Sequence, residues 1–149
     1  MLLMCATSSA QMKWNQSYQT YINQYKDLAI EQMLRYRIPA SITLAQGLFE
    51  SRAGQSDLVR QGNNHFGIKC HNWTGPTQYH DDDARGECFR VYQDAKESYE
   101  DHSRFLAKQP RYSRLFSLNT TDYKGWAHGL KSCGYATNPQ YANKLNKII

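Results

Sequence analysis

The stretch from Asn63 to Tyr92 interrupts an otherwise helical chain, and that interruption limits the folds open to it. Gly67, Gly75 and Gly86 fall inside it, Gly62 stands at its entrance and Pro76 follows Gly75. These are residues that end helices and open turns. The runs His65 to Cys70 and Glu87 to Tyr92 are short and strand-like, which predicts loops and a small antiparallel hairpin. On the N-terminal side, Tyr18, Tyr21, Ile22, Tyr25, Leu28, Ala29, Met33 and Tyr36 recur at helical spacing and predict a long amphipathic helix over Gln16 to Arg37. Pro39 opens a second helix that runs to about Arg52 and stops at Gly54. On the C-terminal side, helices are predicted over Tyr99 to Ala107, around Tyr112 to Leu118 and over Asp122 to Ser132. A last one has Asn138 as its cap, Pro139 in its first turn, and Ala142, Leu145 and Ile149 on one face. The sum is a mostly helical α+β domain in which a small inserted β-lobe forms one wall of a groove.

A chain of 149 residues buries one good core and is short for two, so a single domain over 16–149 is expected. Residues 1–15 begin MLLMCATSSAQ, a short apolar patch followed by small residues, and read as the remnant of a secretion signal or a flexible start. An exported protein, periplasmic, extracellular or in the cell wall, follows from the first reading. No segment approaches the roughly 18 apolar residues of a membrane span. The net charge of +5 favours anionic partners. Its lysines and arginines neither cluster nor interleave with aromatics along one element, which argues against nucleic acid. Cys70 and Cys88 flank the turn-rich stretch and are predicted to form a disulfide closing a hairpin. A zinc site of Cys70, His71, His80 and Cys88 lacks the paired spacings that fix a tetrahedron. No metal or cofactor is expected, and His65, His71, His80, His102 and His128 read as structural or surface residues. Nucleotide-dependent and serine-hydrolase chemistry have no motif here.

One carboxylate stands out. On a helical wheel of the second helix, Ala45 and Phe49 fall beside Ile42, and Leu44 and Leu48 lie round the far side. Thr43, Gln46, Gly47 and Glu50 share a polar arc about 100° wide, much narrower than a surface helix shows. Glu50 therefore belongs to a polar notch in a helix buried nearly all round. A carboxylate on a partly apolar groove wall is poorly solvated, which disfavours its charge and raises its pKa toward neutrality. A general acid working near neutral pH needs that property. The bland alternative is a helix-end acid pairing with Arg52 or a lysine.

Six stretches in order carry a resemblance: IPASITLAQGLFESRAGQSDLV, GNNHFGIKC, NWTGP, CFRVYQDAKESYEDHSRFL, PRYSRLF and GYATNPQYANKL. The chain resembles the bacterial glucosaminidase domain of glycoside hydrolase family 73, the catalytic domain of many autolysins and flagellar peptidoglycan hydrolases, from about Tyr18 onward. The resemblance implies a lysozyme-like fold and an endo-β-N-acetylglucosaminidase that cleaves the β-1,4 bond after N-acetylglucosamine in peptidoglycan glycan strands. It implies that Glu50 is the catalytic acid, that Asn64 and Phe66 lie beside the groove floor, and that Tyr135 faces the acid. Gln46, Asn64, Phe66, Trp73 and Tyr141 are then the expected substrate-binding residues, and a monomer is the expected state. Asn138 stands where the family usually has Asp, and caps a helix about as well.

Glycosidases commonly need a second carboxylate. Counting from the WTGP turn, Asp83 is the nearest equivalent of the family's candidate, with Asp81 and Asp82 as rivals. Three adjacent acids also suit a solvated turn or a protected hairpin edge. With none in reach, the substrate's own 2-acetamido oxygen could serve as nucleophile. Two other readings stay open: a lytic transglycosylase or muramidase on the same fold, and a catalytically idle wall-binding domain.

Overall fold

The computed structural model describes residues 2–82, 84–136 and 138–148, with backbone alone for 2–15 and 148. Helix α1 runs Leu2–Tyr36, extending back through the stretch that reads as a leader or flexible start. Neither glycine nor proline interrupts residues 2–36, so nothing local stops the helix. Arg37 in the left-handed region (φ 64°) and Pro39 then separate it from α2, Ala40–Glu50. Among the described residues, no helix is long and apolar enough to cross a membrane.

A short helix the sequence reading passes over, α3 (Asp57–Gly62), follows, with Ser56 accepting the Val59 N–H at its start. Strands β1 (Thr77–His80) and β2 (Glu87–Arg90) pair antiparallel, with Thr77 opposite Arg90 and His80 opposite Glu87. The hairpin is thus as predicted on its second strand. The run His65 to Cys70 makes only an isolated bridge, Lys69 to Phe89, instead of a strand. Gly67 (φ 66°) and His71 (φ 43°) turn the backbone out of an extended path. The Asn64 side chain takes over the pairing: its amide donates to the carbonyls of Ile68 (3.0 Å) and Arg90 (2.9 Å), and its oxygen accepts the Ile68 N–H. The Cys70–Cys88 disulfide ties this loop to β2.

The remaining elements are α4 (Ala95–Lys108), a 3-10 helix (Pro110–Ser117), α5 (Tyr123–Ser132) and α6 (Tyr141–Ile148). Asp94 and Asp122 cap α4 and α5 by accepting the N–H groups of Glu97 and Gly125. Asn138 accepts the Gln140 N–H in a turn that precedes α6, so the helix starts later than the Asn-Pro pair suggests. Ala142 and Leu145 are buried as predicted, and Ile149 lies outside the described residues.

Two apolar clusters flank α2. One packs Ile38, Ile42 and Ala45 against Leu106, Tyr112, Leu115, Trp126, Leu130, Tyr141 and Leu145 of the later helices. The other joins Ala29 of α1, Tyr99 of α4, and Phe66 and Ile68 of the β-lobe. With both sides covered, α2 is a central strut, and its last residue, Glu50, emerges where the strut meets the β-lobe.

Candidate active site

The position of Glu50 follows from how α2 packs and how it stops. Gly47 lets the helix approach its neighbours closely: a Cβ there would meet the hydroxyls of Tyr21 (2.5 Å) and Tyr99 (3.0 Å) and the Phe66 ring (3.3 Å). Immediately after Glu50 the chain reverses through three left-handed residues, Arg52 (φ 49°), Ala53 (φ 57°) and Gly54 (φ 80°). Such conformations cost about 1 kcal/mol for each non-glycine residue. Hydrogen bonds from Ala53 N–H to the Leu48 carbonyl, from Ser56 N–H to the Ser51 carbonyl and from Gly54 N–H to Ser51 Oγ hold the reversal in place. Ser51 itself is fully buried.

Glu50 is half-buried, and across from it lies the β-lobe loop: a Cβ at Gly67 would sit 3.8 Å from Glu50 Oε2. On the helical side stand Tyr135 and Tyr141, both close enough for the Glu50 charge to act on their hydroxyls. Burial first, and then neighbours including Glu50, push both phenols well above their ordinary range. They stay protonated at any working pH and offer O–H groups. Gly134 (φ 87°) ends α5, and the Tyr135 N–H returns to the Leu130 carbonyl at 3.0 Å. That helix ending aims Tyr135 over Tyr141, the ring centres 5.9 Å apart.

Behind Glu50 the polar notch of α2 is filled from within the protein. Gln46 has no exposed surface; its amide nitrogen donates to Tyr141 Oη and its oxygen accepts from His102 Nε2, each at 2.9 Å. The His102 ring stacks on Phe66 with centres 3.9 Å apart. A second buried chain links His65 Nδ1, Tyr21 Oη and Tyr99 Oη at 2.9 and 2.8 Å. Burial lowers the imidazole pKa to about 4 at His65 and about 3 at His102, so both rings are neutral.

Gln46, Asn64, Phe66 and Tyr141 are all buried, at 2% exposure or less, and turn inward. Protein groups engage their polar ends and ring faces. Trp73 is half-buried and lines an open cavity of about 470 Å³ with Arg35, Asp94, Lys96, Glu97, Glu100, Asp101 and Arg104, a wall that includes neither Glu50 nor Tyr135. Its indole N–H donates to the Pro76 carbonyl at 2.9 Å. Asp81 and Asp82 are exposed at the hairpin tip, where Asp81 accepts the Gly86 N–H at 2.6 Å. Asp83 lies outside the described residues. Among the described residues, no three His, Cys, Asp or Glu side chains gather as metal ligands. Gly67 and His102 are neighbours of the acid region that the sequence reading did not assign to it; the Gly of NNHFG and the His of EDHSRFL were the available signals.

The sequence profile of the glucosaminidase family, described as mannosyl-glycoprotein endo-beta-N-acetylglucosaminidase, matches residues 26–149. The chain belongs to the glucosaminidase family. Exo-glucosaminidase LytG of Bacillus subtilis is 33% identical over 126 aligned positions, covering 77% of this chain and 44% of LytG. Peptidoglycan hydrolase FlgJ of Salmonella typhimurium is 34% identical over 125, covering 75% of this chain and 39% of FlgJ. The glucosaminidase chain therefore spans less than half the length of these curated relatives. Among solved structures, the catalytic domain of the autolysin Auto from Listeria monocytogenes superposes with a TM-score of 0.74 at 31% identity, covering 89% of this chain and 82% of that one. The glucosaminidase fold here is the lysozyme-like one, a helical body with a small β-lobe.

Proposed function

We propose that this glucosaminidase domain is an exported endo-β-N-acetylglucosaminidase that hydrolyses the β-1,4 bond after N-acetylglucosamine in peptidoglycan. The observation that carries the reading is the seat of Glu50: half-buried, at the last residue of α2, beside the side-chain-free Gly67 and flanked by two neutral tyrosines. Partial burial disfavours the carboxylate. The negative end of the helix dipole does the same. Both effects favour a carboxyl that keeps its proton until a glycosidic oxygen arrives.

In the reaction, Glu50 gives its proton to the glycosidic oxygen as the C1–O bond breaks, and positive charge develops on the sugar ring. Tyr135 is suited to turn its hydroxyl oxygen toward that charge or to orient the 2-acetamido group. Asp83 is our candidate for the base that takes a proton from the attacking water; the substrate's acetamido oxygen is the alternative nucleophile. The glycan strand is the substrate, and the chain acts as a monomer, free of nucleic acid.

The test is Glu50→Gln on purified cell walls. We expect release of soluble fragments to fall by about 10²- to 10⁴-fold, the usual contribution of a positioned acid. Retention of most activity removes the proposal. Reducing N-acetylglucosamine ends on wild-type products support it, and anhydro-muramic ends point to a transglycosylase instead. A rapid fall in mean strand length marks internal cutting; release of terminal units marks the exo mode for which LytG is named.

A further inference from the structure

His102 sits at the centre of α4 with no exposed surface. Nothing in the proposed reaction uses it. Yet its Nε2 begins a buried chain, His102 to Gln46 to Tyr141, that ends beside Glu50. An amide in the middle of such a chain fits in two ways, differing by a flip that exchanges its oxygen and nitrogen. With the oxygen toward His102, the imidazole carries its proton on Nε2 and donates. With the nitrogen toward His102, the proton moves to Nδ1. The surroundings of Nδ1 decide between them: that atom is buried and has no hydrogen-bond partner. A bare lone pair is tolerated there more readily than an orphaned N–H, since unpaired buried donors are the rarer kind. The imidazole is thus an Nε2 donor, and its neutrality keeps it so across the working pH range.

The polarity then runs in one direction. Gln46 accepts from His102 and donates to Tyr141 Oη at 2.9 Å. The Tyr141 oxygen, having accepted that N–H, has its own proton to direct elsewhere; Glu50 stands one turn beyond Gln46 on the same face of α2, and its charge acts on Tyr141. Resting on the reading of Glu50 as the acid, we infer that His102 is a positioning residue: it sets the Gln46 amide so that Tyr141 presents an O–H, rather than a lone pair, to Glu50. A donor in that place steadies the carboxylate that remains once Glu50 has released its proton. Other titratable groups at this corner are Tyr135, which faces both Glu50 and Tyr141, and Tyr112, which acts on both tyrosines.

The experiment compares pH profiles of wall hydrolysis for His102→Leu, His102→Gln and Tyr141→Phe, beside the wild type and Glu50→Gln. His102→Leu frees the Gln46 amide to turn over and accept the tyrosine proton. We expect the alkaline limb to move up by about one pH unit, and kcat to fall about tenfold with KM within twofold. Tyr141→Phe should move the same limb the same way. His102→Gln, which offers an amide N–H at a similar reach, should return the limb to within a few tenths of a unit of wild type. A folded His102→Leu with an unshifted limb overturns the inference while leaving an inactive Glu50→Gln, and so the acid itself, intact. An active Glu50→Gln removes both. Where His102→Leu does not fold, the other two variants decide: a shift in Tyr141→Phe with none in His102→Gln supports the inference, and any other combination overturns it.

Discussion

Glu50 and the aspartates of the hairpin tip are both carboxylates that the sequence nominates, but their settings differ in kind. Glu50 ends a helix whose Ile42, Thr43, Ala45, Gln46, Gly47 and Leu48 are all buried, so its direction is set by two cores at once. Asp81 and Asp82 stand exposed on the hairpin turn, and Asp81 is engaged in closing that turn. The lesson is that packing from two sides fixes where a carboxylate points, whereas one on an exposed turn of a small tethered lobe is held by the turn alone.

The sharpest break of this comparison is at Glu50 itself. Glu50→Gln should abolish nearly all wall hydrolysis, by the 10²- to 10⁴-fold stated above, while thermal melting stays within a few degrees of wild type. Asp83→Asn should lower kcat about a hundredfold if that residue activates water, and single-turnover assays with Asp81→Asn, within twofold of wild type, are the control. Loss of the lobe's tether comes next. Replacing Cys70 and Cys88 by serine opens a crosslink spanning 18 positions and should cost about 3 kcal/mol, read by denaturant titration.

Acid should loosen the helical side of the comparison. His65 and His102 have folded pKa values near 4 and 3, below the ordinary 6.5, so the unfolded chain binds protons first as pH falls. Their contribution to stability is complete above about pH 6.5 and is lost progressively as pH drops toward 4 and then 3. We expect unfolding free energy to decline over that window, by an amount on the order of a few kcal/mol, and His102→Gln to flatten part of the slope.

Much of the architecture was legible because periodicity survives in α1, α4 and α5, where burial follows one helical face, and because α2 shows a narrow polar arc in an otherwise apolar helix. Helix α3 escaped notice since six residues are too few to show a period, although Ser56 before Asp57 is an ordinary helix-start pair. The strand expected at His65 to Cys70 failed because Asn64 supplies from its side chain the partners a neighbouring strand would have supplied. Within the site, the wheel located the notch and its acid, but could not tell front from back. Gln46 shares a motif with Glu50, Asn64 and Phe66 stand in GNNHFGIKC and Tyr141 in GYATNPQYANKL, and all four are buried, since a motif marks nearness to a site and not the direction of a side chain. The disulfide was readable from the position of its cysteines about the turn-rich segment.

The left-handed reversal at Arg52 and Ala53 has a consequence for the durability of the protein. A backbone bent so tightly next to its working group is a place where robustness has yielded to aim, and where an engineer could recover some of it. Ala53→Gly removes a Cβ that the conformation resists, and should raise stability by up to about 1 kcal/mol without displacing the helix end. If wall hydrolysis survives that relaxation unchanged, the bend serves to steer the chain; if it falls, stiffness there is part of how the enzyme works.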